Sequence, residues 1–201
     1  MMLIAALLVS AVSNASAFVP CTNDSAFRTQ LDAVKIYYDT QTGNTETCAG
    51  YIAAAAGLEA ESIADATAND IDSADALIVG APTWHTDSED QRSGTAWDDW
   101  LYSSLPNRNV QGKKVAIFGV GDSASYSEYY CDAAGELYDQ FVKAGAKVYG
   151  FVSTEGYEHS ASKAEKDGKF VGCMFDEDNQ YDLSEERANK WVQQLKDEGF
   201  F

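Results

Sequence analysis

Three short segments hold the residues whose types and spacing could bind a ligand, and the first of them suits a phosphate. It is rich in hydroxyl and amide side chains and contains no positive charge. It precedes an Ala-rich stretch with a helical pattern, and the start of a helix offers free backbone amides to an anion. The Lys of a Walker P-loop and the G-x-G-x-x-G fingerprint are both missing. We therefore predict one phosphomonoester held by neutral donors, with a ligand-free, side-chain-capped helix start as the alternative. The segment consists of Thr40, Gln41, Thr42, Gly43, Asn44 and Thr45.

The second segment follows a fully apolar run, residues 76–79, and carries an indole. A Trp placed after a buried strand, outside the sheet, could cover one face of a planar ligand, although it could also simply fill a gap in the loop. His85 could serve as a base, but the sequence places no nucleophile beside it. We therefore predict a role for His85 in the loop rather than in catalysis. The segment consists of Pro82, Thr83, Trp84, His85 and Thr86.

The third segment follows another apolar run, residues 115–118, and is rich in Tyr. We predict that Tyr126 covers the opposite face of the ligand, while Asp122 and nearby backbone amides bind the edge of a heterocycle. Asp132 is also predicted to cap the following helix. A protein-binding patch of clustered Tyr side chains is the alternative. The candidate residues are Gly121, Asp122, Tyr126, Tyr129, Cys131 and Asp132.

Strand and helix patterns alternate along the chain after residue 33, which predicts a single doubly wound α/β domain. In such a domain the carboxyl ends of the strands meet at one edge, so the three segments converge on one site. A polar stretch, residues 154–181, breaks the alternation, and we interpret it as an insertion that interrupts or extends the edge strand. We predict strands at 34–38, 76–79, 115–118 and 147–152, a helix at 44–56, and a last helix with Glu185 and Glu186 in its first turn.

The charge of the chain excludes several classes of partner. Lys and Arg number 14 against 32 Asp and Glu, which gives a net charge of −18. A protein this acidic is unsuited to nucleic acid or to an anionic membrane surface, because both need a basic face. The four Cys and two His residues lack the spacing of a zinc or iron–sulfur site, so we predict no metal and free, mostly structural thiols.

The N-terminus has the pattern of a targeting segment. Residues 1–12 are apolar except for Ser10, and this run is shorter than the about 20 residues that span a bilayer. The string Ala15-Ser16-Ala17-Phe18 contains a small-residue cleavage pattern and resembles the cleavage motif of two-part plastid presequences in algae. We predict a cleavable presequence at 1–31, a mature domain at 32–201 and delivery to the plastid stroma of the chloroplast. Secretion is the alternative destination, and a buried N-terminal helix is the alternative structure.

Together the three segments resemble those of a long-chain flavodoxin of the algal type, with residues 40–45 as the phosphate loop and the Trp84 and Tyr126 segments as the two stacking loops. The stretches 168–172 and 176–180 resemble the segment found in long-chain members. The resemblance implies a flavodoxin-like five-stranded parallel sheet of order 2-1-3-4-5, with helices on both faces and a long-chain insertion at the fifth strand.

The resemblance also implies FMN as the cofactor. Residues 40–45 would then hold the FMN phosphate, and Trp84 and Tyr126 would flank the isoalloxazine ring. Contacts with the pyrimidine edge are implied for Asp122, Tyr129 and Cys131, and a place beside flavin N5 for the His85–Thr86 peptide. Departures from the residues frequent in the family, which bear on the redox potentials more than on FMN binding, occur at His85, Asp87 and Ser125.

The implied function is that of an electron carrier and not of an enzyme. Such a carrier shuttles single electrons at low potential between the semiquinone and hydroquinone of FMN, with photosystem I as donor and ferredoxin–NADP reductase as acceptor, in place of ferredoxin. The acidic surface would steer it, as a monomer without stable membrane insertion, to basic faces of these partners. The alternatives are an FMN-dependent quinone or NAD(P)H oxidoreductase on the same fold, and a binding module without redox activity.

Overall fold

The computed structural model describes residues 34–201. The predictions for the presequence and for Cys21 fall on residues outside this range and stay predictions. Within it, no helix is both long enough and apolar enough to cross a membrane.

A parallel β-sheet forms the centre of the fold. Its first five strands along the chain are β1 (Val34–Tyr38), β2 (Ala60–Ser62), β3 (Ala76–Pro82), β4 (Lys114–Val120) and β5 (Lys147–Tyr149). They lie in the order β2-β1-β3-β4-β5, so the predicted order 2-1-3-4-5 is confirmed. β3 is buried at every position and β4 at every position but its first. Both strands form continuous apolar runs in the sequence because both faces of a central parallel sheet are covered.

The fifth position of the sheet is shared by two strands. After β5 the chain leaves the sheet and forms a small antiparallel sheet of β6 (Val152–Ser153), β7 (Glu165–Lys166) and β8 (Lys169–Phe170). It then returns as β9 (Gly172–Phe175), which pairs with β4 beyond the end of β5. The predicted interruption of the edge strand by an insertion is therefore confirmed.

The predicted strand at 147–152 is too long. β5 ends at Tyr149, where Gly150 adopts a left-handed conformation with φ 80 and redirects the chain. Val152 then pairs with Phe170 in the small sheet instead of with β4. A single apolar run in the sequence is thus divided between two sheets.

Helices cover both faces of the central sheet. α1 (Asn44–Ala56) and α5 (Tyr181–Asp197) contribute Ile52 and Trp191 to a buried cluster on one face. On the other face, α3 (Ala96–Asp99) and α4 (Asp132–Lys143) contribute Trp97 and Phe141 to a second cluster, and α2 (Ala68–Ser73) adds Ile71. α3 continues as a π-helical turn, Trp100–Ser104. The helices predicted on both faces are confirmed, and the helix predicted at 44–56 has those bounds.

α5 begins one turn earlier than its predicted acidic start. Because its first residue is Tyr181, Glu185 and Glu186 lie beyond the first turn, and that expectation was wrong. The apolar residues whose spacing predicted the helix begin only at Ala188. Tyr181 and Leu183, in the first turn, are exposed and so do not belong to the buried face of the helix.

Gly172 lies where β9 returns alongside β4, and a side chain has no room there. A Cβ at this position would be 1.8 Å from the carbonyl oxygen of Ile117. We expect Gly172→Ala to lower the free energy of unfolding by about 2 kcal/mol or more, because the two strands have to separate. Urea unfolding followed by circular dichroism measures the change.

Gly50→Ala is the matched control. Gly50 is an exposed position of α1, and a Cβ there would meet nothing within 4 Å. We expect this substitution to raise the free energy of unfolding by about 0.5–1 kcal/mol, because Ala favours the helix over Gly. A Gly172→Ala variant as stable as the unmodified protein would contradict the close approach of β9 and β4.

Candidate functional site

The three candidate segments meet at the carboxyl edge of the central sheet and enclose a cavity of about 420 Å³. They follow β1, β3 and β4 respectively. Of the candidate residues, the cavity is lined by Thr42, Asn44, Thr45, Pro82, Thr83, Trp84, Thr86, Gly121, Asp122, Tyr126 and Tyr129. The candidates outside its lining are Thr40, Gln41, Gly43, His85, Cys131 and Asp132.

The start of α1 presents hydrogen-bond donors to this cavity. Gly43 is the N-cap, with φ 99, and no side chain within residues 34–201 caps the helix, so the side-chain cap expected in the alternative is wrong. The amides of the first helical turn have no acceptor inside the helix. The Thr45 hydroxyl is buried and has no hydrogen-bond partner among residues 34–201. Because an unpaired buried hydroxyl is costly, this corner of the cavity fits an anionic group that accepts hydrogen bonds.

The other residues of this loop fix its shape. The Gly43 amide donates to Thr40 Oγ1 at 3.0 Å. The Asp39 carboxylate accepts from the Thr40 amide at 2.8 Å and from the first amide of α3 at 2.9 Å. The Gln41 side chain donates to the carbonyl of Gly94. Asp39 and Gln41 therefore tie the loop to α3 and to the segment before it, while the Thr40 hydroxyl braces the loop internally. This arrangement leaves Thr42 and Thr45 facing the cavity.

Two large aromatic side chains lie exposed at the mouth of the cavity. Trp84 is 47% exposed and belongs to the Trp loop, residues 82–92, whereas Tyr126 is 55% exposed and belongs to the Tyr loop, residues 121–131. Water-exposed aromatic rings on two loops that line one cavity are typical of a site for a flat, apolar ring system.

A buried carboxylate of α4 holds the Trp loop in place. Glu136 accepts from the amides of Gln91 at 2.7 Å and Arg92 at 2.9 Å, and its carboxylate lies 3.7 Å from the Arg92 guanidinium. The Arg92 carbonyl in turn accepts from the amides of Trp84 at 2.9 Å and His85 at 3.0 Å. The backbone that carries the indole is thereby fixed to a helix.

His85 braces the Trp loop and does not line the cavity. Its Nδ1 lies 2.7 Å from the carbonyl oxygen of Gln91 and 3.8 Å from a carboxylate oxygen of Asp98. A ring nitrogen this close to a carbonyl oxygen has to carry a proton and donate it. These contacts give the His85 side chain a role in shaping its loop.

Asp122 organises the Tyr loop. One carboxylate oxygen accepts from the amides of Ala124 at 3.0 Å and Ser125 at 2.8 Å, and from the Asn179 side chain at 2.9 Å. Partial burial alone would raise the pKa of Asp122, but the hydrogen bonds from Ser125, Asn179 and Ala124 outweigh it and lower the pKa. The carboxylate is therefore ionised and helps to shape a loop that faces the ligand.

Sequence reasoning missed Asp178, which also lines the cavity. It follows β9, so the second half of the divided fifth strand brings a fourth loop to the same edge of the sheet. Burial raises the pKa of Asp178, and the charges of Asp122 and Asp176 raise it further. The signal that could have identified it is the short apolar run at 170–175, which ends just before this residue. Val120, the last residue of β4, is the other lining residue that was missed.

Cys131 and Asp132 lie behind the Tyr loop. Cys131 is the N-cap of α4, with φ 55, and a Cβ on Gly121 would lie 2.9 Å from its backbone nitrogen. The Asp132 carboxylate accepts from the Lys163 amide at 2.7 Å, and burial raises its pKa. The predicted helix-capping role of Asp132 is wrong, because the left-handed residue at 131 places the cap one position earlier and Asp132 faces the insertion instead.

The thiols within residues 34–201 belong to the interior of the protein. Cys48, Cys131 and Cys173 are buried and form no disulfide with one another. Burial raises the pKa of each thiol, so all three stay protonated.

Comparisons with known proteins agree with this geometry. The family model described as Flavodoxin matches residues 36–191. The flavodoxin of Picosynechococcus sp. is 41% identical over 172 residues, which cover 83% of this chain and 97% of that protein. The flavodoxin of Nostoc sp. is 40% identical over 170 residues, which cover 82% of this chain and 96% of that protein.

Solved structures show the same similarity. The crystal structure of Fusobacterium nucleatum flavodoxin bound to flavin mononucleotide has a TM-score of 0.73 and 29% sequence identity, and the match covers 82% of this chain and 97% of that one. The family model spans most of the chain, and the relatives are matched over nearly their whole length. The chain therefore belongs to the flavodoxin family of electron-transfer proteins.

Proposed function

We propose that this chain is a one-electron carrier of low potential that binds FMN non-covalently in the cavity at the carboxyl edge of its sheet. The observation that carries the proposal is the combination of a helix start with free donors and two exposed aromatic rings around one cavity. The first suits the phosphate of FMN and the second its ring system. The Fusobacterium nucleatum relative, which has FMN bound, supports the choice of ligand.

The residues around the cavity have separate tasks. Thr42, Thr45 and the first amides of α1 bind the phosphate, and the cavity lining within residues 34–201 contains no cationic side chain. Trp84 and Tyr126 stack on the ring and exclude water from its faces. FMN supplies the redox chemistry, since it can take up and release single electrons.

The acidic surroundings favour a low potential. The carboxylate of Asp122 lines the cavity and is ionised, and Asp178 lies close enough for the two charges to repel. Apolar aromatic walls and a nearby carboxylate both penalise additional negative charge in the cavity. The chain's own residues thus make the bound cofactor harder to reduce fully.

Absorption during stepwise anaerobic reduction tests this function. We expect a yellow purified protein that takes up electrons in two separate one-electron steps and does not oxidise NADPH on its own. Steady-state NADPH oxidation by the protein alone would support the oxidoreductase alternative instead. A colourless protein that does not take up added FMN would contradict the proposal.

The partners in this proposal are photosystem I as electron donor and ferredoxin–NADP reductase as acceptor, in the plastid stroma and in place of ferredoxin. The support is the charge: residues 1–31 hold one acidic and one basic side chain, so the part from residue 32 onward carries the net charge of −18. Such a surface is attracted to basic faces on a partner.

Thr45→Val tests the phosphate corner. We expect about tenfold weaker FMN binding, because a hydroxyl that can donate to a charged phosphate is lost. Riboflavin, which has no phosphate, should bind the variant and the unmodified protein equally well. The apoprotein should not be destabilised, because the hydroxyl has no partner within residues 34–201. Quenching of flavin fluorescence measures the affinities.

Thr47→Val is the control for Thr45→Val. Thr47 lies in the same turn of α1 but is exposed, and its hydroxyl donates to the Gly43 carbonyl at 3.1 Å, outside the lining of the cavity. We expect FMN to bind this variant as tightly as the unmodified protein. Equal FMN affinity of the two Val variants would refute the assignment of the phosphate corner.

The rate of electron transfer to ferredoxin–NADP reductase should depend on salt. We expect it to fall about tenfold or more between roughly 20 and 300 mM NaCl, because salt screens the attraction between an acidic carrier and a basic docking face. Stopped-flow mixing of the reduced carrier with the reductase measures the rate, and transfer to a small uncharged acceptor is the control. A rate that does not change with ionic strength would rule out electrostatic steering.

A further inference from the structure

One hydrogen bond crosses the mouth of the cavity. The Tyr129 hydroxyl donates to a carboxylate oxygen of Asp87 at 2.7 Å. Asp87 belongs to the Trp loop and Tyr129 to the Tyr loop, and Tyr129 also lines the cavity. This cross-loop hydrogen bond therefore joins the two loops that carry the exposed aromatic rings.

Two further hydrogen bonds join the base of the Trp loop to the strand and the helix on either side of the Tyr loop. The Thr83 amide donates to the Val120 carbonyl at 3.0 Å, and Thr83 Oγ1 accepts from the Ala133 amide at 3.0 Å. Within the described range, 34–201, no other hydrogen bond connects residues 84–90 with residues 121–131. The tips of the loops are thus held together by one side-chain pair.

The insertion holds the Tyr loop from the opposite side. The Ser127 carbonyl accepts from the amides of Ser160 at 2.9 Å and Ala161 at 3.1 Å, and the Ser127 and Ser160 hydroxyls lie 2.6 Å apart. The Tyr129 amide donates to the Tyr126 carbonyl at 2.9 Å, so Tyr129 is linked directly to the residue predicted to stack on the ring. The back of the Tyr loop is thus held by several hydrogen bonds, whereas its tip is joined to the Trp loop by one.

We propose that the Asp87–Tyr129 hydrogen bond keeps the two loops closed over the cavity and slows release of the flavin. The proposal rests on the proposed function, since it concerns retention of the same cofactor. It makes Asp87 and Tyr129 positioning residues, which act on dissociation by holding Trp84 and Tyr126 over the ring. The hydrogen bond to Asp87 raises the pKa of Tyr129, so the phenol remains a donor at neutral pH.

Stopped-flow kinetics of FMN binding and release test the proposal. We expect Tyr129→Phe and Asp87→Ala to release FMN about 3- to 10-fold faster, which corresponds to the loss of one hydrogen bond whose charge is screened by solvent. The association rate should change less than about twofold, because the loops are open when the ligand enters. Riboflavin release should accelerate by the same factor, since the contact lies away from the phosphate corner.

Two further variants separate positioning from a general structural effect. Asp87→Asn keeps a side-chain oxygen that accepts from Tyr129, so it should restore most of the slow release. The double variant Asp87→Ala/Tyr129→Phe should release FMN no faster than either single variant, because both remove the same interaction.

Matched controls remove a similar group elsewhere. Asp90→Ala deletes a charge from the Trp loop at an exposed carboxylate that makes no hydrogen bond within residues 34–201. Tyr181→Phe removes the hydroxyl of a Tyr that is 68% exposed at the start of α5. Both controls should release FMN at the unmodified rate.

The outcomes distinguish this proposal from the proposed function. Unchanged release from Tyr129→Phe and Asp87→Ala, or additive effects in the double variant, would overturn the role of the cross-loop hydrogen bond while FMN binding stands. Failure of the unmodified protein to bind FMN would overturn both. If one single variant did not fold, the other and Asp87→Asn would decide.

Discussion

The geometry of the site depends on the hydrogen bonds and the ion pair that the buried Glu136 carboxylate makes. Removing a charge from water is costly, and here the cost is offset by donors from the Gln91 and Arg92 amides, the Arg92 guanidinium and the Tyr102 hydroxyl. Because the Arg92 carbonyl then fixes the backbone of Trp84, a charge inside the protein determines where an exposed indole lies. The same helix begins behind the Tyr loop, so α4 supports both walls of the cavity.

The main sheet and the cavity could be predicted from the sequence because they follow from simple constraints. The buried strands β3 and β4 are continuous apolar runs, and the connectivity of parallel strands brings the loops after them to one edge. The division of the fifth strand could not be predicted in detail. It depends on the left-handed conformation of Gly150 and on the room for β9 beside β4, which are tertiary features. Asp178 could not be predicted for the same reason. β2 could not be predicted either, because this strand is short and only partly buried.

The insertion is part of the architecture of the site rather than a separate addition. Ser160, Ser162 and Lys163 make hydrogen bonds to Ser127, Tyr130 and Asp132. Behind these contacts, His159 and Phe170 pack on the Tyr130 ring at centroid distances of 5.7 and 6.0 Å. The insertion that interrupts the fifth strand therefore fixes the back of the Tyr loop, which begins after β4.

The divided fifth position also bears on how copies of the protein meet one another in a concentrated solution. The strands at the two ends of the order, β2 and β5, are three residues long, and β9 has four. Short edges offer few unpaired backbone groups to a strand from another molecule. Had β5 and β9 been one uninterrupted strand, the open edge would be about twice as long and more prone to intermolecular β-sheet aggregation.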